Sequence, residues 1–281
     1  MKSEDFRDIL YEKGPEEGVV MVTINRPERK NALSWYSFLE LCWAADLFKK
    51  DGTAHVMIMT GAKDPKNDDP AKEAFSSGAY FNPNVTEDLP EHLRDQLDPT
   101  DITQKRLVEK MWYLDKPVIA AVNGLMIGAG FTMVLSCCDL VYMSEHAWGR
   151  LPFGRVGLLP ELASTFILPR LIGLQRTKEI VFFGEDISAE KAYELGLINK
   201  VVPHDDLLPC ALEAARKLFP PHGPGMAIRV AKRTIHRQLD GDIQRALDAE
   251  NVGLNQAIRS EDFLEAITAR LEKRKPLFRG R

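Results

Sequence analysis

Two segments of small residues in this 281-residue chain could bring backbone amides close to a ligand. One is Phe75-Ser76-Ser77-Gly78-Ala79-Tyr80; the other, between a predicted strand and a predicted helix, is Asn123-Gly124-Leu125-Met126-Ile127-Gly128-Ala129-Gly130. Without bulky side chains a ligand can approach the main chain, and the first turn of a helix carries N–H groups that have no intrahelical acceptor. One amide from each segment would make a pair of donors for an oxygen that gains negative charge during a reaction. Taken singly, each segment reads equally well as a tight turn or a place of close packing. Neither is a nucleotide cradle, because the glycine spacing does not give GxGxxG and no Lys-Ser/Thr pair follows.

Proton transfer beside such donors needs a titratable group, and Glu161, directly after Pro160 in GLLPELAST, is the candidate. Two environments are open to it. At the first turn of a helix predicted over 161–173 it would act as a cap, with its pKa lowered by the helix dipole. In an apolar pocket beside Phe153, Leu158 or Leu159 its pKa would rise toward that of a useful base. Asp139 and Glu145 read as structural, and Trp148 and Arg150 as further candidates for a pocket wall. The six histidines are scattered with no HExxH, so no metal site is expected.

These residues sit on a recognisable order of elements. GVVMVTI, residues 18–24, reads as a strand running into the polar loop NRPERKNALS; a helix follows from Trp35 to Lys49, and AHVMIMTG from Ala54 reads as a buried strand. Ala62 to Asp98 is rich in turn residues and reads mostly as loop. Asp101–Leu114 is expected to be a helix, Lys116–Val122 a strand, Gly128–Ser136 a glycine-opened helix and Cys138–Met143 a strand. After Pro160 the periodicity is helical, near 161–173, 174–183, 188–195, 205–219, 224–238, 240–257 and 260–272, interrupted by a strand at Leu197–Val202. The pattern implies an α/β core over 1–203 and a C-terminal helical region over 204–281 that buries its apolar face on the core or on a partner chain.

Composition adds exclusions. With 44% hydrophobic residues, 28% charged residues and a net charge of −4, the chain resembles neither a disordered segment nor a polyanion-binding protein, so nucleic acid is not an expected partner. No apolar run reaches the roughly 18 residues of a membrane span, and MKSEDFRDIL lacks a signal-like apolar stretch, so a cytoplasmic protein is expected. Cys42, Cys137, Cys138 and Cys210 lack CxxC spacing and read as reduced thiols.

The ordered set NRPERKNALS, FSSGA, KPVIAAVNGLMIGAG, CDLVYMSE, GLLPELAST and LEKRKPLFRG resembles the enoyl-CoA hydratase/isomerase (crotonase) family across nearly the whole chain. The resemblance implies a spiral of ββα turns, a C-terminal helical region used in trimer formation, and often a dimer of trimers. It implies an acyl-CoA thioester as substrate, with coenzyme A entering as part of it and no permanently bound cofactor. The family's oxyanion amides fall on Ala79, after Gly78, and on Ala129, after Gly128. Arg29, Lys30 and Ala32 match the segment lining the coenzyme A channel, and Lys273 with Arg274 a tail that reaches a neighbouring subunit's cofactor. Arg29 and Lys30 read equally as a solvated loop face. Ser77, Tyr80 and Phe81 would line the acyl end of the site.

The family's hydratases carry two glutamates, at positions that hold Thr132 and Phe153 here. Glu161 matches the single glutamate of Δ3,Δ2-enoyl-CoA isomerases. The resemblance thus favours a double-bond shift from 3-enoyl-CoA to 2-enoyl-CoA. The alternatives are hydration, hydrolysis, C–C cleavage or decarboxylation on the same scaffold, or a CoA-ester binding protein without catalysis.

Overall fold

The computed structural model describes residues 3–80 and 103–281. Its first half runs β1 (Ile9–Lys13), β2 (Val19–Ile24), α1 (Trp35–Lys50), β3 (Val56–Gly61), β4 (Ala74–Ser76), α2 (Thr103–Trp112), β5 (Val118–Val122), β6 (Leu125–Ile127) and α3 (Ala129–Cys137). Then come β7 (Leu140–Ser144), β8 (Trp148–Arg150), α4 (Ser164–Ile172), α5 (Leu174–Phe183), β9 (Asp186–Ser188), α6 (Ala189–Leu195) and β10 (Lys200–Val202). The tail is helical: α7 (Leu207–Arg216), α8 (Gly225–Arg237), α9 (Asp240–Ala257) and α10 (Glu261–Leu271). The predicted helices and longer strands are present with shifted ends.

The strands form two sheets, in the orders β1-β2-β3-β5-β7-β10 and β4-β6-β8-β9. Only the β1–β2 and β8–β9 pairs are antiparallel. Successive strands alternate between sheets, β3 then β4, β5 then β6, β7 then β8, with α2, α3 and α4 following the three pairs. This is an α/β spiral of ββα turns.

Burial on both faces accounts for the near-continuous apolar runs of β3 and β5. Val56, Ile58, Ile119 and Ala121 pack against Leu207, Ala211 and Ala215 of α7 and against Phe219. Met57, Met59, Val118, Ala120 and Val122 belong to the main core with Phe38, Phe48, Leu107 and Phe131. Cys42 and Cys137 are buried free thiols, both pushed up to about 12 by burial.

Within the stretch expected to be mostly loop, Ala62 to Asp98, the small-residue segment holds a fully buried strand, Ala74–Ser76. Phe81 and the rest of that stretch lie outside the described residues. β4 is held by contacts that only glycines allow: a Cβ on Gly124 would lie 2.1 Å from the Glu73 carbonyl oxygen, and one on Gly61 2.2 Å from that of Ala74. Gly124→Ala should therefore force two backbone segments apart and destabilise the fold by roughly 1–3 kcal/mol, measured by urea denaturation. A variant as stable as the parent would contradict this packing.

Candidate active site

The two small-residue segments meet. A Cβ on Gly130 would sit 2.6 Å from the Ser76 carbonyl oxygen, and one on Gly78 would sit 2.4 Å from that of Ile127 and 3.4 Å from the Ala129 nitrogen. Gly78 and Gly128 also hold φ values of 90° and 51°, which side chains other than hydrogen rarely tolerate. Gly128 is the N-cap of α3, and its own amide is spent on Arg150 of β8 at 2.9 Å. Among the described residues neither the Ala79 nor the Ala129 amide has an acceptor. Two adjacent amides without acceptors, one at a helix N-terminus, can donate to an anionic oxygen.

The loop after β2 folds onto the same place. Leu33 bridges Ala79, the Lys30 carbonyl accepts from the Ser77 amide at 2.9 Å, and the Ser77 hydroxyl donates to the Arg29 carbonyl at 3.2 Å. Asn31 fastens the loop by donating to the Ala62 and Ala74 carbonyls, while Ala32 is buried. Arg29 and Lys30 are exposed at the rim, with the Arg29 guanidinium 3.9 Å from the Glu28 carboxylate. The Tyr80 ring carries the guanidinium of Arg29 at 4.7 Å and that of Arg26 at 5.5 Å. Arg26 was not among the expected site residues. It ties the loop together by donating to the Ala32 carbonyl and pairing with buried Asp8.

Glu161 is 7% exposed and stands outside the helix predicted for it. That prediction is corrected: α4 starts at Ser164, after Leu162 and Ala163, both of which have φ of 59°. Non-glycine residues in this region cost roughly 1–3 kcal/mol each. The capping role foreseen for Glu161 belongs instead to Glu250 of α9, which accepts from the Ala163 and Thr165 amides at 2.7 and 2.9 Å and from the Thr165 hydroxyl. Glu161 in turn accepts from the Thr132 hydroxyl at 3.3 Å. Thr132 lies in the first turn of α3, with its hydroxyl 3.2 Å from the Gly128 carbonyl oxygen, so the carboxyl is linked to the turn that bears Ala129.

Burial, with the charge of Glu250 added, pushes the Glu161 carboxyl up to about 8, against a downward pull from the Thr132 hydroxyl. Of the two settings open to this residue, the structure has the buried one with a raised pKa, beside Thr132 and Glu250. Phe153 is buried in the main core. Lys273 is exposed in the turn after α10, and among the described residues of one chain no hydrogen bond joins it to the loop of Arg29. Asp139 is structural as expected, accepting from the Val118 amide and Lys232, both at 2.7 Å. Arg150 pairs with Asp186 across β8 and β9. A cavity of about 440 Å³ lies away from this site, between the end of α3 and α8. No group of three or more potential ligands for a metal occurs among the described residues, and no described helix is long and apolar enough to cross a membrane.

Glu250 was missed by sequence reasoning, although a signal existed. Ile243, Leu247 and Glu250 share one face of α9 at helical spacing, and all three are buried. A glutamate in register with an apolar stripe needs a partner.

Comparison with known proteins agrees with this architecture. The family described as enoyl-CoA hydratase/isomerase matches residues 14–281. The short-chain-enoyl-CoA hydratase of Clostridium acetobutylicum is 31% identical over 271 residues, covering 96% of this chain and 97% of that protein. The 1,2-epoxyphenylacetyl-CoA isomerase of Escherichia coli is 30% identical over 279 residues, covering 95% and 97%. The crystal structure of an enoyl-CoA hydratase/isomerase from Pseudoalteromonas atlantica superposes with a TM-score of 0.81 at 27% identity, covering 97% of this chain and all of that one. A two-sheet spiral with paired small-residue turns, matched along almost its whole length, places this chain in the enoyl-CoA hydratase/isomerase (crotonase) family.

Proposed function

We propose that the protein shifts the double bond of a 3-enoyl-CoA thioester to give 2-enoyl-CoA, with Glu161 as its single base. The observation that carries this reading is the setting of Glu161: buried, raised to about 8, and hydrogen-bonded to the helix that starts at Ala129. The Glu161 carboxylate takes a proton from C2, and the electron pair of that bond spreads over C2, C3, C4 and the thioester oxygen. The Ala79 and Ala129 amides hold that oxygen as it becomes negative. The protonated Glu161 then delivers the proton to C4, which leaves the double bond between C2 and C3. Atoms and charge balance without water or cofactor, coenzyme A being part of the substrate.

Hydration is the second reading, favoured by the name of the Clostridium acetobutylicum relative. Adding water calls for one group to activate it and one to protonate the carbon. The family's two hydratase positions hold a hydroxyl, Thr132, and a buried ring, Phe153. Glu250, the other buried carboxylate near Glu161, already accepts from three donors. One carboxylate therefore remains for proton transfer among the described residues, which fits a proton shift better than hydration. Arg29 and Lys30 would meet the coenzyme A phosphates, with Ala32, Ser77 and Tyr80 beside them and Lys273 of a neighbouring subunit as a further cation. A homotrimer, alone or doubled, is the proposed assembly, because α9 and α10 expose Val252, Leu264 and Leu271.

Glu161→Gln keeps the shape and removes the base, so kcat for 3-enoyl-CoA should fall by about 10²–10⁴-fold with the Kd of a CoA ester nearly unchanged, read by spectrophotometry and calorimetry. Undiminished turnover would remove Glu161 from the mechanism. Because the ionised form is the active one, kcat/KM should rise about tenfold per pH unit below about 8 and level off above it, the sign of a base that must lose its proton. A profile that falls over this range would contradict the assignment. Light scattering should give three or six times the 31.7 kDa chain mass, whereas a monomer would contradict the proposed assembly.

A further inference from the structure

We propose that Glu250 is the positioning residue for Glu161, holding from helix α9 the left-handed turn that presents Glu161 to Thr132 and to the start of α3. The inference rests on the reading of Glu161 as the base and adds a residue that acts on it without touching substrate.

The backbone states the need. Between Glu161 and α4 the chain makes two successive left-handed residues, neither a glycine, so this conformation persists only where outside contacts hold it. The N-cap, Ala163, has no side chain able to cap, which leaves amides in the first turn of α4 without local acceptors. Glu250 meets that need: one carboxylate oxygen takes the Ala163 amide and the other takes the Thr165 amide and hydroxyl. The turn that follows Glu161 is thus clamped at its second left-handed residue, Ala163, and at Thr165 in the first turn of α4.

A neutral acceptor could have capped the helix, but the residue present is an acid, 4% exposed. Burial raises its pKa, and its three donors oppose that shift. When ionised, Glu250 places its charge where Glu161 feels it. From α9, Glu250 is the one charged group that acts on Glu161 among the described residues; from α3, the Thr132 hydroxyl is the one hydrogen-bond donor to it. No described cation offsets the pair. The same side chain thereby sets the direction of Glu161 and its hold on the proton, and the helical tail supplies a part without which the site in the spiral is incomplete.

The test measures the protonation of Glu161 without relying on catalysis. A carboxyl whose pKa is raised by folding contributes stability below its unfolded pKa and loses it as pH rises through the folded value, and Glu161→Gln abolishes that loss. The difference in Tm between each parent and its Glu161→Gln derivative, followed from about pH 5 to 10, falls and then levels off at the folded pKa, which gives the midpoint of the Glu161 titration in the native protein. In the Glu250→Gln background the midpoint should fall by about one pH unit or more, because the opposing charge is gone. The plateau kcat at high pH should fall about tenfold or more as the turn loosens. Should Glu250→Gln fail to fold, Thr165→Val keeps both carboxyls, removes one donor of the clamp, and should lower the plateau kcat in the same direction. A folded variant with midpoint and plateau kcat both unchanged would overturn the proposal. Full activity in Glu161→Gln would instead refute the base, leaving the midpoint comparison to decide whether Glu250 governs Glu161.

Discussion

The carbonyl oxygens of Glu73, Ala74 and Ser76 occupy space that Cβ atoms on Gly124, Gly61 and Gly130 would need, at 2.1, 2.2 and 2.6 Å. Three backbone segments from successive turns of the spiral are therefore in contact with no side chain between them. That contact brings the segment bearing Ala79 against the one bearing Ala129, and the loop of Arg29 and Lys30 is fastened to the first of them through Asn31, Ser76 and Ser77. Loosening it by a methyl group would separate the amides from each other and from the loop that frames them. Small residues here allow the close packing and, among the described residues, leave the Ala79 and Ala129 amides without acceptors, so a tight turn and a pair of open amides are two aspects of one arrangement.

Electrostatics supplies the second half of the design. Burying a carboxyl raises its pKa, and a second carboxylate near it raises it further, so on the proposed function Glu161 would carry the proton while Glu250 holds the turn. Glu161 has a single hydroxyl donor, whereas Glu250 has two amides and a hydroxyl. The difference in donors is what separates them. An acid that holds its proton near neutral pH can give it back as readily as take it, which a proton shift requires and a purely structural carboxylate does not.

Periodic features were legible in the sequence. The β-branched run before NRPERKNALS, the apolar strands at Val56 and Val118, and the tail helices stand where hydrophobic spacing predicts them, because burial selects those patterns directly. Three-residue strands such as Ala74–Ser76 and Trp148–Arg150 are too short to carry a period and were not foreseen. β1 was missed as well, being an antiparallel edge strand, ILYEK, whose exposed positions are largely charged. The order of motifs located Gly78, Ala79, Gly128, Ala129 and Glu161, but not the conformation at Leu162 and Ala163. Left-handed non-glycine residues have no local signature, and the contact that holds them comes from Glu250, 87 residues beyond Ala163.

The central claim is that one buried carboxyl carries one proton between two carbons of the same substrate. Its most direct test is turnover of 3-enoyl-CoA carrying deuterium at C2 in ordinary water, with the product analysed by mass spectrometry and NMR. Glu161 is almost sealed from solvent, so exchange of its proton competes poorly with return to the substrate. The account predicts 2-enoyl-CoA of unchanged mass apart from partial washout, with deuterium found at C4. A product heavier by one water, or one with no deuterium at C4 even in a single turnover, would contradict it.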